Sequence, residues 1–179
     1  MTDQALITQF QEGDNKEAAF TLLLKRHQEN VFFQIKKMVH EHADADDIAQ
    51  AVWIKVWNKL DSFKQESAFS TWLFRVAYNE TLNFIAQKKR LKTHSTQNEI
   101  DHAFDHPSDH NGLKETSIQI KLERAIAELP EKQRFVFMLR YYEDFDYEKI
   151  ASITGTTVGG AKANYHQAVK KMTTLLQAS

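Results

Sequence analysis

Apolar residues recur every three or four positions through most of this 179-residue chain, and only 5 Gly and 2 Pro interrupt them. That spacing puts apolar side chains on one face of an α-helix, and so few breakers leave little room for the many turns of a β fold. The expected class is all-α, in two small helical domains joined by a flexible linker. Twelve Phe, three Trp and a hydrophobic content of 42% supply core material for them. With no cysteine, disulfides, thiolate zinc sites and thiol nucleophiles are excluded. The N-terminus lacks the basic-then-apolar pattern of a signal peptide, and no apolar run reaches the length of a membrane span, so no membrane insertion is expected and the cytoplasm is the expected location.

The first segments read as a short helix over 4–12, a turn at Gly13-Asp14-Asn15, and one long helix from Lys16 carrying Ala19, Phe20, Leu23, Leu24, Val31, Ile35, Met38 and Val39. His27, His40 and His42 lie along it as solvated or capping groups with no partner cluster in the sequence. The next helix opens at DADD, where acids favour the positive end of the helix dipole. Ile48, Ala49, Val52, Trp53, Val56, Trp57 and Leu60 form its apolar stripe, with Asp47, Gln50, Ala51, Ile54 and Asn58 opposite. The bland reading of that side is a solvated face with one stray isoleucine. The functional reading is a protein-docking face anchored by Ile54.

Residues 63–92, FKQESAFSTWLFRVAYNETLNFIAQKKRLK, combine an aromatic-flanked polar loop with a long helix ending in positive charge. At about 100° per residue, Trp72, Arg75, Val76, Asn79, Asn83, Ala86 and Arg90 share one stripe, while Leu73, Phe74, Ala77, Tyr78, Phe84 and Ile85 spread over the other side. Phe63, Phe69 and Trp72 read as stacking groups beside amides and charge, a combination that suits unstacked nucleic-acid bases. Lys88, Lys89, Arg90 and Lys92 have no acid close in sequence and are expected on the phosphate backbone, weakening as salt rises. The plainer alternative is a helix end complementing its own dipole.

The order DADDIAQAVWIKVW, LDSF, ESAFSTWLFRVAYNETLNF closely resembles region 2 of extracytoplasmic-function (ECF) sigma factors, the promoter-specificity subunits of bacterial RNA polymerase, over roughly Phe20 to Arg90. The resemblance implies that Asp46, Asp47, Gln50 and Ile54 dock on the clamp coiled coil of the largest polymerase subunit. Ala51 stands where a glutamate often follows the glutamine. It further implies that Lys64, Gln65, Glu66, Ser67, Ala68, Phe69 and Ser70 capture a flipped base of the −10 element. Trp72, Arg75, Asn79 and Asn83 would then contact the melting edge, and Lys88, Lys89 and Arg90 the strand beyond. Unstacking costs a few kcal/mol per step, which only a fitted site for the exposed base can offset.

Residues 93–117 lose apolar periodicity and carry 1 Lys/Arg against 5 Asp/Glu, while 1–92 carry 13 against 12 and 118–179 carry 9 against 7. They are expected to form an acidic flexible linker between a domain over 1–92 and a domain over 118–179. His102, His106 and His110 recur every four residues there, a spacing that can share a metal on a helix; Pro107 and the missing apolar face favour a solvated segment instead. No cofactor or metal is expected.

Helical spacing resumes with Ile118, Leu122, Ala125, Ile126 and Leu129, then Phe135, Val136, Met138 and Leu139. A cap at Asp146, a short helix through Ile150, Ala151 and Ile153, a break at Gly155 and a longer helix from about Val158 make a helix-turn-helix pattern. Val158, Ala161, Tyr165, Ala168, Val169, Met172, Leu175 and Leu176 form the expected buried stripe of that last helix. Lys162, Ala163, His166, Gln167, Lys170 and Lys171 remain outside, donors and a small residue of the kind a major-groove helix carries.

This second block, LPEKQRFVFMLRYYEDFDYEKIASITGTTVGGAKANYHQAVKKM, resembles region 4 of the same ECF family, which implies −35 reading by Thr157, Lys162, Ala163, His166 and Gln167, with Lys170 and Lys171 beside them. Asn164 and Gln167 stand where many relatives have arginine, and Gly160-Ala161 where Thr-Val is frequent. The implied partners are core RNA polymerase, including the flap of its second-largest subunit, promoter DNA, and by family habit an anti-sigma factor. A free-standing helix-turn-helix regulator on duplex DNA is the competing reading, and the base-capture block separates the two. An enzyme is not expected: the chain has no glycine-rich phosphate loop, no HExxH and no compact carboxylate cluster.

Overall fold

The structure is a computed structural model that describes residues 1–13, 15–39, 41–94 and 117–177. The described residues form eight α-helices and no strand, as the apolar spacing predicts. They are α1 (Asp3–Glu12), α2 (Lys16–Met38), α3 (His42–Leu60), α4 (Phe69–His94), α5 (Ser117–Ala127), α6 (Glu131–Tyr141), α7 (Tyr147–Thr154) and α8 (Val158–Gln177). The histidine-rich stretch around His102, His106 and His110 lies outside the described residues, as does His40.

Local chemistry sets the helix ends. Thr2 caps α1 through its hydroxyl, which accepts from Ala5 N–H, and Gly13 ends that helix at φ 85°, a left-handed conformation that suits glycine. Asp146 caps α7, accepting from Lys149 N–H at 2.7 Å, and Gly155 closes it at φ 66°. Thr157 caps α8 by accepting from Gly160 N–H at 3.0 Å. The close approach explains the glycine: a Cβ at Gly160 would stand 2.5 Å from the Thr156 hydroxyl.

The first four helices close around Leu6, Ile7, Phe10, Leu23, Ile35, Ile48, Val52, Leu60 and Leu73, all essentially without solvent contact. Burying a side chain of this size contributes about 1.5–3 kcal/mol, so α1, too short to persist alone, is held by tertiary packing. Edge-on aromatic contacts lock the layer, with Trp57 5.0 Å from both Phe10 and Phe20. In the second half, Ala125, Ile126, Leu129, Phe137, Ala168 and Met172 join α5, α6 and α8.

A third cluster belongs to both halves. Met38, Phe74 and Tyr78 from α2 and α4 pack with Phe135, Val136, Leu139, Ile150 and Ile153. Tyr78 stacks on Phe135 at 4.3 Å, and Phe74 meets Phe145 edge-on at 5.6 Å. Polar groups follow the same seam. Arg134 donates to Met38 O at 3.2 Å and to Ala127 O and Leu129 O, Gln34 donates to Glu143 at 3.1 Å, and Lys37 pairs with Glu123. Two atoms here, Arg134 Nε and Gln34 Oε1, are buried without a protein partner.

Some expectations are corrected. Phe63 and Phe69 are only 8% and 4% exposed, because their rings pack against each other and against Trp72, so they are not free stacking platforms. Trp72 itself is half-buried rather than on an open polar stripe. Val169 is 37% exposed, since α8 turns that position past the edge of α5 and α6, and Ile118 and Leu176 are exposed as well.

Arg134 is 6% exposed, and burial pushes its guanidinium below the ordinary arginine range, while three backbone carbonyls accept from it. Arg134→Met, which keeps the stem and removes the donors, is expected to destabilise the protein by about 2–3 kcal/mol, the scale of several charge-assisted bonds lost from buried acceptors. Urea unfolding followed by far-UV circular dichroism checks this, with Arg124→Met at an exposed site as the near-neutral control.

Candidate nucleic-acid and polymerase interfaces

Three surfaces carry the residues singled out in the sequence. On α3, Asp46, Asp47, Gln50 and Ile54 are all exposed, with Ile54 at 62%. Asp46, Gln50 and Ile54 border a groove of about 780 Å³ that Trp53 also lines and whose far wall is α2, through Leu24, Gln28, Glu29 and Phe32. An apolar anchor rimmed by carboxylates and amides can dock a partner helix of basic or polar character. The α2 wall has no signal in the sequence, where Leu24 reads as one more position of an apolar helical stripe.

The second surface is the loop between α3 and α4 with the outer face of α4. Lys64, Glu66, Ser67 and Ala68 are exposed, Gln65 and Ser70 are half-buried, and Phe69 is the loop's buried anchor. Gln65 has φ 56°, an unusual left-handed conformation for a residue with a side chain. Loop residues Gln65 to Ser70 face a cavity of about 740 Å³ closed on the other side by Thr2, Asp3, Gln4 and Ile7 of the N-terminus and by Arg26. Further along, Arg75, Asn79, Asn83, Lys89 and Arg90 are exposed on one side of α4. The two exposed amides offer donors and acceptors of the kind that can hydrogen-bond base edges.

Charge on this helix is less free than the sequence suggests. Lys88 is half-buried and donates to Asp44 at 2.6 Å and Glu41 at 2.9 Å, so its ammonium is already neutralised from α3 and the residue before it. The bond to Asp44 chiefly raises its pKa above the ordinary lysine value. Lys89 pairs with Glu131 at 2.6 Å, and Arg75 donates to Ser152 of α7 at 2.6 Å. Lys149 of α7 lies 3.4 Å over the Phe145 ring and reaches Ser70, and burial pulls its pKa down. The C-terminal half thus rests on α4, with α7 against Ser70 and Arg75. None of these acids is close in sequence to its partner, which is why the pairing was not foreseen.

The third surface is α8. Thr157, Lys162, Ala163, His166, Gln167, Lys170 and Lys171 are all exposed on it or at its start. Lys162 sits 5.7 Å from the Tyr147 ring, Gln167 accepts from Gln133 at 2.9 Å, and Lys171 donates to Glu128 O at 2.7 Å. Asn164 donates back to Gly160 O, so its amide serves its own helix. Among the described residues no group of acids and histidines is arranged to hold a metal, and no helix is long and apolar enough to cross a membrane.

His27 also departs from expectation. Its Nε2 lies 2.8 Å from Asp3, which also pairs with Arg26, and its ring meets Phe69 edge-on at 5.3 Å. The two bases, His27 and Arg26, lie 24 and 23 residues from the one acid, with no motif to announce the cluster.

Comparison with known proteins places this geometry. Residues 23–91 match the family described as Sigma-70 region 2, and residues 119–172 match Sigma-70, region 4. The chain is 32% identical to the RNA polymerase sigma-H factor of Pseudomonas aeruginosa, over 98% of this chain and 94% of that protein. It is 33% identical to the ECF RNA polymerase sigma-E factor of Escherichia coli K12, over 94% of this chain and 91% of the other. Among solved structures, the sigma factor RpoE in complex with the anti-sigma factor NepR from Bartonella quintana superposes with a TM-score of 0.73 at 25% identity, covering 88% of this chain and 96% of that one.

A lysine whose ammonium is favoured by folding contributes stability at every pH below its unfolded pKa near 10.5, and that contribution is lost as pH rises through the higher folded value. Wild type is therefore expected to melt above Lys88→Met throughout the neutral range, with the gap closing only in strong alkali. Thermal melts of both proteins from pH 7 upward check the sign.

Proposed function

The chain belongs to the sigma-70 family as an ECF-type RNA polymerase sigma factor, which directs core polymerase to promoters; from that premise we propose how its surfaces divide the work. The observation that carries the reading is the order of regions 2 and 4 along the chain, each presenting an exposed polar helix face. The unit formed by α1–α4 binds polymerase and the −10 element, and the unit formed by α5–α8 reads the −35 element.

In this division the groove between α2 and α3, with Asp46, Asp47, Gln50 and Ile54, receives the clamp coiled coil of the largest polymerase subunit. Residues Lys64 to Ser70 capture a base flipped out of the −10 element. Arg75, Asn79 and Asn83, flanked by Trp72, hold the edge of the opened duplex, and Arg90 follows the strand. Lys88 serves mainly to tie α4 to α3, and Lys89 joins the strand only after leaving Glu131. Lys162, Ala163, His166 and Gln167 enter the major groove, and Thr157, Lys170 and Lys171 contact phosphates. The protein has no chemistry of its own to perform; binding an unstacked base supplies the free energy for melting.

Because Arg75 and Ser70 are engaged by α7, binding promoter DNA on α4 requires the two units to part along the Phe74/Tyr78 seam. An anti-sigma partner is proposed from the RpoE–NepR relative, acting by holding the units together and covering the α2/α3 groove. The other half of the −35 unit meets the polymerase flap. A protein that works with polymerase does so in the cytoplasm, which is the proposed location.

Run-off transcription with core polymerase and a genomic promoter library tests the assignment, with specific start sites expected only when this protein is added. Failure to bind core and to start at any promoter would falsify it. Replacing Asn79 and Asn83 together by alanine is expected to slow open-complex formation on duplex promoters about tenfold or more, the scale of two lost base contacts, while leaving binding to a pre-melted bubble less affected. Equal losses on both templates would contradict a melting role. Lys162→Ala with His166→Ala is expected to weaken binding only where the −35 sequence is intact, as read by footprinting on promoters with that element scrambled.

A further inference from the structure

Helix α1 lies outside the residues 23–91 that match region 2, yet it is fastened to both ends of the capture loop. At the entry to the loop, the Gln11 amide donates to Leu60 O at 2.9 Å and to Phe63 O at 2.8 Å. Leu60 is the last residue of α3, so one donor group ties the end of that helix to the first turn of the loop. The Gln11 side-chain carbonyl also accepts from the Gln65 amide at 3.5 Å. Gln65 is the loop residue held at φ 56°, a conformation that costs of order 1 kcal/mol and persists only where neighbours impose it. At the exit, His27 bonded to Asp3 presses edge-on against Phe69.

A structural role alone would not need this arrangement. A loop closing onto a packed helix could be held by Phe63 and Phe69, both already buried. The bonds from Gln11 instead hold the backbone at Leu60 and Phe63, directly before the strained Gln65 and the polar Glu66 and Ser67 in the wall of the 740 Å³ cavity. A site that discriminates between bases needs its donors and acceptors held to within a fraction of an ångström, since a loose loop accepts any flat ring.

We propose that Gln11 is a positioning residue for base capture: by holding Leu60 O and Phe63 O it sets the loop conformation that chooses which flipped base enters the cavity between the loop and α1. The inference rests on the proposed base-capture role of Lys64 to Ser70. Gln11 touches no DNA in this scheme; it acts on selectivity through the loop.

The test uses holoenzyme assembled from core polymerase and the full chain. The probes are fluorescent pre-melted bubbles of one promoter from the transcription screen, with each non-template −10 position replaced in turn by all four bases. Gln11→Met keeps the length and packing of the side chain and removes its donors. At the captured position its preference for the best over the worst base is expected to fall about five- to tenfold, the equivalent of one to two hydrogen bonds, with core affinity unchanged and the fold retained at the assay temperature. Gln11→Lys, whose ammonium can donate to both carbonyls at the negative end of α3, is expected to restore the preference.

If wild type discriminates and Gln11→Met discriminates equally, or weakens binding of every base alike, the inference is overturned while base capture stands. If wild type itself shows no preference at any position, the capture reading fails first. Should Gln11→Met melt below the assay temperature, Gln11→Lys carries the test: wild-type selectivity supports the proposal, and selectivity lost from a stably folded Gln11→Lys protein overturns it.

Discussion

Helix α4 is buried along two separate lines, and the remaining structure is arranged by how those lines divide its circumference. Leu73, Val76 and Ala77 enter the N-terminal core with Leu23, Ile48 and Val52. Phe74 and Tyr78 enter the cluster shared with α6 and α7. Along the helix as far as Asn83, what remains to solvent is the strip through Arg75, Asn79 and Asn83, narrow because two partners claim the rest. A helix covered on one side only could drift about its axis with little loss. Covered on two, it presents its amides at a fixed angle to the loop that precedes it, and that angle is what a protein requires to meet DNA in a single register.

The same division gives the closed arrangement its character. The contact between halves is apolar at its centre, with Tyr78 on Phe135, and polar at its rim, with Lys37–Glu123, Lys89–Glu131 and Arg75–Ser152. Exposed ion pairs of this kind are individually weak and weaken further in salt. The apolar centre therefore holds the halves together and the rim sets their alignment. Because the rim uses Arg75 and Lys89, groups also proposed to contact nucleic acid, closure and the proposed DNA binding draw on the same side chains.

Much of this was legible in the sequence. All eight helices follow from the apolar spacing and the caps at Asp146 and Gly155, and the exposed faces of α3 and α8 fall where periodicity puts them. Two kinds of feature escaped. Periodicity says that a side chain is buried but not by what, so Phe74 and Tyr78 were read as core without revealing that the core belongs partly to the other half of the chain. Charge runs were read by their neighbours in sequence, whereas Lys88 finds its acids 44 and 47 residues away. Phe63, Phe69 and Trp72 misled for a related reason: an aromatic beside polar residues can as well be packing beneath a loop as stacking above it, and here the three rings pack on one another. Gln11, a polar residue at the end of a short helix, carries no sequence signal for the two carbonyls it reaches.

The two buried polar atoms without protein partners, Arg134 Nε and Gln34 Oε1, both sit on residues that cross the seam between the halves. Separation of the halves would break the bonds from Arg134 to Met38 O and from Gln34 to Glu143, while Arg134 keeps Ala127 O and Leu129 O. The seam thus sets polar bonds that water can replace beside the apolar surface of the Phe135 and Tyr78 rings, which only contact between the halves can bury. A surface built this way latches and releases for a small difference in free energy, which puts the choice between the two states within reach of a binding partner of ordinary affinity.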